Sequence, residues 1–276
     1  MLSKSQIKHI AALKLKKFRE EHSQFIAEGH KLVMDLVNSE FSVAGIFASS
    51  GWILSNLLQT GERKIPVFET LPQEMKRMSG LSTPSPVLAV VNIPGPNPSP
   101  LGGELGRDSL VLALDDIRDP GNLGTIIRIA DWFGIGLVLC SESCVDTYNP
   151  KVVQATMGSI ARVKVVRCNL AEALSTLSGS TTPSGSPTPS GCIGGFPVYG
   201  AFLEGDPLFS QTLSHHGVIV IGNESHGISP ELVPLITRKL FIPSFGTAAS
   251  GKAESLNASI ATAILCAEFR RKTIAD

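Results

Sequence analysis

The chain has 276 residues, enough for two domains of ordinary size. It is 43% hydrophobic and 17% charged, the balance of a globular protein, and its 24 Lys+Arg against 24 Asp+Glu exclude a protein that coats nucleic acid by bulk charge. Five cysteines (Cys140, Cys144, Cys168, Cys192, Cys266) form no CxxC pair, so neither a disulfide framework nor a metal centre is expected. Reduced thiols in a cytoplasmic protein are the simple reading. No apolar run reaches the roughly 18 residues of a membrane span, and no signal peptide is apparent.

Charge is unevenly placed. Residues 1–100 carry 11 Lys+Arg against 8 Asp+Glu, whereas residues 101–276 carry 13 against 16. The first 31 residues hold seven basic groups (Lys4, Lys8, Lys14, Lys16, Lys17, Arg19, Lys31) against three acidic ones. That pattern fits a phosphate-contacting surface, with Lys14, Lys16, Lys17 and Arg19 as candidates, or a solvated helix face.

In chain order, residues 5–24 predict one or two amphipathic helices, with Ile7, Ile10, Leu13 and Phe18 among lysines. Residues 25–29 predict a strand ending at Gly29, 30–37 a helix, 43–48 and 65–68 strands, and 71–78 a helix. The continuous apolar run 87–91 predicts a buried strand. Residues 1–95 thus form a small α/β domain. Residues 96–108, rich in proline and glycine, predict a linker. A second domain, 109–276, opens on the strand 110–114 with Asp115 and Asp116 at its end. A helix over 122–133 and a strand over 136–140 complete a βαβ unit. Further strands are expected at 163–166, 196–199, 217–221 and 240–242, with helices over 231–239 and 257–271. The last helix should bury the face carrying Ile260, Ala263, Ile264 and Ala267. Residues 178–195 are Ser/Thr/Pro/Gly with little apolar content, the composition of an exposed insertion.

Three segments crowd small and polar residues at the ends of apolar strands, where open parallel sheets bind ligands. The first is Asp119-Pro120-Gly121-Asn122-Leu123-Gly124 leading to Arg128. Asn122 can cap the helix, and Arg128 can act as a two-pronged donor to an anion. Its glycines do not follow GxGxxG, which weighs against a dinucleotide oxidoreductase. The second is Ile221-Gly222-Asn223-Glu224-Ser225-His226-Gly227, where two glycines permit a tight turn against a ligand. Here Glu224 can accept hydrogen bonds, and His226 reads as an exposed turn residue. The third is Ile242-Pro243, then Ser255-Leu256-Asn257, in which Ser255 or Asn257 can cap the last helix.

Together these residues resemble the three motifs of the SpoU-type RNA 2′-O-ribose methyltransferases of the SPOUT class. The resemblance covers residues 110–270. Phe25-Ile26-Ala27-Glu28-Gly29 and Thr83-Pro84 with Val87-Leu88-Ala89-Val90-Val91 resemble that family's substrate-binding domain, similar to ribosomal protein L30e. The implied fold class is α/β: a small L30e-like domain, then a parallel sheet with a deep trefoil knot. The implied cofactor is S-adenosylmethionine, the implied partners are RNA (ribosomal by analogy) and a second copy of the chain, with no metal and no membrane. The resemblance assigns catalysis to Arg128, Glu224, Ser255 and Asn257, cofactor contacts to Gly222, Ile242, Leu256, Ala201 and Asn257, and RNA contacts to Asn122 and Arg128. On this reading a charged Arg128, oriented by Glu224, holds the target phosphate and stabilises developing oxyanion character. Departures from the family pattern are the eleven residues 244–254 between Ile-Pro and Ser-Leu-Asn, the insertion at 178–195, and Pro84-Ser85-Pro86 in place of Pro-Gln-Gly. Transfer RNA or base methylation by the same class, and a non-catalytic RNA-binding module, are the alternatives.

Overall fold

A computed structural model describes residues 2–61, 64–95, 105–106, 109–179, 195–245 and 255–271. Most of the expected linker and of the 178–195 insertion, much of the 244–254 segment, and Cys192 lie outside the described residues. The chain divides into two compact units, Met1–Asn97 with Asp146–Arg162, and Pro98–Val145 with Val163–Asp276.

The first unit contains α1 (Lys4–Ala12), α2 (Lys16–His22), β1 (Gln24–Glu28), α3 (His30–Val37), β2 (Val43–Ala48), α4 (Ser50–Gly61), β3 (Val67–Glu69), α5 (Pro72–Met78) and β4 (Val87–Asn92). Its sheet runs β1-β4-β2-β3; β4 is antiparallel to both of its neighbours, and β2–β3 is parallel. The period of two decides which side chain meets which layer. Phe25, Ala27, Ile46, Val87, Ala89 and Val91 pack with Leu32, Val33, Leu36 and Val37 of α3. Their alternates Ile26, Phe47, Leu88 and Val90 pack with Ile7, Ile10, Met75 and Met78 of α1 and α5. A sheet covered on both faces explains why the 87–91 run is apolar throughout.

Arg19, expected to meet RNA, is instead 2% exposed. Its guanidinium donates to the carbonyls of Leu13 and Lys14 and, through Nε at 3.0 Å, to the Asp146 carboxylate. Four of its five N–H donors are engaged at the α1–α2 corner and by Asp146, and its burial takes it out of reach of a phosphate. Lys14 donates to the Ser79 carbonyl, whereas Lys16 and Lys17 are exposed.

The second unit opens with β5 (Leu110–Leu114), α6 (Pro120–Trp132) and β6 (Leu137–Cys140). The chain then supplies α7 (Pro150–Ala155) and a 3-10 turn at Ser159–Ala161 to the first unit, where Val153 and Ile160 join the α3 side of the core. That excursion departs from the expected single boundary. Its cause is a short apolar helix whose partners are Phe25 and its neighbours. The second unit continues with β7 (Lys164–Arg167), α8 (Leu170–Ser178), β8 (Val198–Pro207), β9 (Gly217–Ile221), β10 (Arg238–Phe241) and α9 (Ala258–Arg271). Its sheet is parallel throughout, in the order β10-β8-β9-β5-β6-β7. Strand order reverses between β5 and β9, the place where open α/β sheets form a ligand crevice.

Two expectations differ in detail. The expected helix over 231–239 is a single 3-10 turn at Val233–Leu235 followed by β10. Thr237 bonds the Val198 backbone through N–H and hydroxyl, drawing this stretch into the sheet instead. On α9 the buried residues are Ala258, Ser259, Thr262, Leu265, Cys266 and Phe269, and the helix packs against α6. The face expected to be buried lies outward, with Ile260 52% exposed. The buried stripe includes Leu265 and Phe269, the latter edge-on to Tyr199 of β8 at 4.9 Å between ring centroids.

Candidate active site

The site is assembled at the carboxyl ends of β5, β9 and β10. After β5, Asp119 rather than Asn122 caps α6: its Oδ1 accepts the Asn122 N–H at 2.8 Å, and Pro120 occupies the first helical position. Released from capping, Asn122 points its amide at Glu224, donating to Oε1. Asn257 Nδ2 in turn donates to Asn122 Oδ1 at 2.9 Å. Asn257 is itself the cap of α9, since its Oδ1 accepts the Ser259 N–H at 3.0 Å and the Ile260 N–H at 3.4 Å. One polar chain, Glu224–Asn122–Asn257, therefore joins all three sequence motifs.

The loop after β9 is held by its own backbone. Asn223 and Gly227 exchange two hydrogen bonds, at 3.0 and 2.9 Å. A Cβ on Gly222 would sit 2.2 Å from the Gly227 carbonyl carbon, so only glycine closes this turn. The loop is also anchored at both ends to the residues after β5. Asn223 Nδ2 donates to the Asp116 carbonyl at 2.9 Å, and the Ser229 N–H donates to the Asp115 carboxylate at 2.7 Å. Asp115 is 4% exposed, and Asp116 adopts a left-handed φ of 56°. Beneath them, the Cys144 sulfur lies 3.3 Å from the Ile117 N–H. The hydrogen bond from the Cys140 thiol, with others from Ser141 and the Ile117 N–H, draws Cys144 down to about 6 against the opposing effect of burial. Cys140, buried and donating, is held above its ordinary value.

This loop borders a cleft of about 750 Å³. Its walls include Ala201, Gly222, Glu224, Ile242, Ser255 and Leu256, all of which the sequence had singled out. Asn122 reaches this wall through its bond to Glu224 and Asn257 through its bond to Asn122, whereas Arg128 is exposed on α6, outside the cleft lining. Glu224 thus meets Asn122, not Arg128, which has neither hydrogen bond nor ion pair with another described residue. His226 is exposed, its N–H bonded to Asn223 Oδ1 at 3.3 Å.

The sequence placed Asp115 and Asp116 at a strand end without giving them a part in the site, and it gave no hint of Phe202, Glu204 and Lys239. Asp119-Pro120 was a legible helix start, since proline favours the first helical position. Phe202, Glu204 and Lys239 carry no local signal. The extended register of β8, which passes from Gly200 to Asp206 opposite consecutive residues of β10, brings Phe202, Glu204 and Lys239 to the cleft wall.

The cleft fits S-adenosylmethionine. Its volume is in the range of small-molecule sites, its walls are largely apolar with Ile221, Ile242, Leu256 and Leu265, and two carboxylates, Glu204 and Glu224, face a space that would hold a cation. Among the described residues no group of His, Cys, Asp and Glu could hold a metal ion. No helix of the described residues is long and apolar enough to cross a membrane.

Comparison with known proteins agrees with this geometry. The SpoU rRNA Methylase family matches residues 109–267, and the MRM3-like substrate binding domain matches residues 4–89. The chain is 29% identical over 266 residues, 96% of each protein, to the 23S rRNA (guanosine(2553)-2'-O)-methyltransferase of Bacillus subtilis (strain 168). Among solved structures it is similar to a TrmH-family chain from Porphyromonas gingivalis, with 36% identity, 99% of both chains covered and a TM-score of 0.80. An AdoMet-bound rRNA methyltransferase from Sinorhizobium meliloti is 28% identical over 99% of this chain and 96% of that one, with a TM-score of 0.81. With its motifs joined by one hydrogen-bonded chain beside a cofactor-sized cleft, and with the family matching more than half its length, this protein belongs to the SpoU rRNA methylase family.

Proposed function

We propose that this protein transfers a methyl group from S-adenosylmethionine to a ribose 2′-hydroxyl of ribosomal RNA. The observation that carries the reading is the Glu224–Asn122–Asn257 chain beside the cleft walled by Gly222, Ile242, Leu256 and Ser255. S-adenosylmethionine supplies a methyl group on a positive sulfonium, open to in-line attack by an oxygen nucleophile.

The protein's own groups divide the work. Ala201, Gly222, Ile242 and Leu256 would hold S-adenosylmethionine, and Glu224, fixed by Asn122, sets negative charge at the cleft wall. Arginine stays protonated in proteins, so Arg128 serves as a charged donor that holds the target phosphate and stabilises negative charge developing on the ribose oxygen. Arg128 lies on the solvent side of α6 beside an α9 that presents Ile260, Ala263, Ile264 and Ala267 outward. An outward apolar stripe on α9, with an Arg128 guanidinium that has no partner among the described residues, supports a homodimer in which Arg128 serves the partner's cleft; the trefoil-knotted backbone of the SPOUT class is part of the same proposal through family membership alone. Exposed Lys16 and Lys17 add phosphate contacts.

The test is incubation of purified protein with labelled S-adenosylmethionine and ribosomal RNA from a strain lacking the gene, followed by alkaline hydrolysis. Label retained in alkali-resistant dinucleotides supports the reading, because a 2′-O-methyl blocks cleavage of the adjoining phosphodiester. Label released on a methylated base would replace it with base methylation. Failure to bind S-adenosylmethionine at all would leave an RNA-binding module.

A further inference from the structure

We propose that Lys239 binds the carboxylate of the methyl donor's amino-acid end, with Glu204 beside it receiving the ammonium group. This inference rests on the reading of the cleft as an S-adenosylmethionine site. The donor carries two positive groups, sulfonium and ammonium, and one carboxylate. The described cleft lining carries the complementary set: two carboxylates, Glu204 and Glu224, and one Lys or Arg, namely Lys239. Glu224 is engaged by Asn122 at the motif end of the cleft. The Glu204 carboxylate and the Lys239 ammonium make no ion pair or hydrogen bond with another described residue, so both side chains remain available to a ligand.

The backbone brings this pair together and holds the lysine in place. β8 pairs with β10 at Tyr199 and Gly200 and again at Asp206 and Pro207, so the residues between them bulge out of the ladder against β10. The bulge puts Phe202 beneath Lys239, whose Nζ stands 5.1 Å from the ring centroid. That cation–π contact limits the wandering of a flexible side chain before any ligand arrives, which lowers the ordering cost of binding. Gly205 makes the close seat possible: at φ 144° its Cβ position would lie 2.6 Å from the Lys239 carbonyl oxygen. An RNA phosphate fits the pair less well, because the neighbouring Glu204 repels a polyanion, whereas a zwitterion satisfies both charges.

The experiment is calorimetric titration of the full chain with S-adenosylmethionine and with its decarboxylated analogue, which keeps adenosine, sulfonium and amine. Wild type, Lys239→Met and Lys239→Arg are compared, with methionine keeping an apolar stem over Phe202. The expected result is that wild type prefers the intact cofactor by about tenfold, the effect of one charge-assisted hydrogen bond. Lys239→Met should lose that preference by weakening the intact cofactor alone, and Lys239→Arg should restore most of it. Equal affinity of wild type for the two ligands overturns the assignment, as does an equal loss on both in Lys239→Met. Unchanged cofactor affinity in Lys239→Met with weakened RNA binding in a filter assay also overturns it and gives the lysine to RNA. Absence of binding by either ligand to wild type sinks the methyl-donor reading itself, a result distinct from a lost preference.

Discussion

Gly222→Ala is the sharpest probe of the loop that walls the cleft. The added Cβ would fall 2.2 Å from the Gly227 carbonyl carbon and 2.4 Å from both the Gly227 oxygen and the Ile228 nitrogen. All three are backbone atoms, so no rotamer change relieves the overlap. Ordinary contact begins near 3.4 Å, so the loop must open by about 1 Å. Opening strains the two Asn223–Gly227 hydrogen bonds and pulls on the anchors to Asp115 and Asp116. Two weakened hydrogen bonds and an overpacked contact together cost about 2–4 kcal/mol. In a unit of this size that lowers Tm by about 5–15 °C. Because the same loop carries Glu224 and lines the cleft, S-adenosylmethionine affinity should fall by more than about tenfold. Gly227→Ala is the control: its Cβ position is open, but φ is 70°, so it should cost only the left-handed penalty of about 1–2 kcal/mol. Thermal unfolding and cofactor calorimetry read both variants. A Gly222→Ala protein with wild-type Tm and cofactor affinity would refute the reasoning, since the closed loop would then be irrelevant to both fold and site.

Arg128→Ala should abolish methyl transfer while leaving S-adenosylmethionine affinity, measured by calorimetry, within a few-fold of wild type. Ile260→Glu, on the outward face of α9, should convert a dimer to a monomer in sedimentation velocity and lower activity with it; an unchanged mass would remove the dimer from the proposal. Asp146→Ala strands the buried Arg19 guanidinium and should destabilise the first unit by about 3 kcal/mol in urea unfolding, whereas Lys16→Ala, which breaks only the exposed 3.6 Å pair with Glu20, should leave the midpoint nearly unmoved. Burial, assisted by Asp146, pushes the Tyr148 phenol from 10.0 up to about 12. Raised in the folded state, it contributes stability that is whole below pH 10 and is lost as pH climbs through about 12. Tyr148→Phe should flatten that alkaline decline in pH-dependent unfolding.

The amino-acid order by itself determined the apolar runs of β4, β5 and β9, helix α3, and where the three motifs fall, because these depend on neighbours in the chain: periodicity, turn glycines and residues set after a strand; the roles of the motif residues came from the family resemblance. Only the tertiary structure decided that Arg19 turns inward, that Asp119 caps α6 and frees Asn122 for Glu224, and that Asp146–Arg162 returns to the first unit. It likewise decided which apolar stripe of α9 meets α6, and brought Lys239 to Phe202 through the register of β8 against β10. The physical reason is that hydrogen-bond partners and packing faces are chosen among groups far apart in sequence. A local pattern states what a side chain can offer, and the fold alone settles which of several equivalent takers lies within reach.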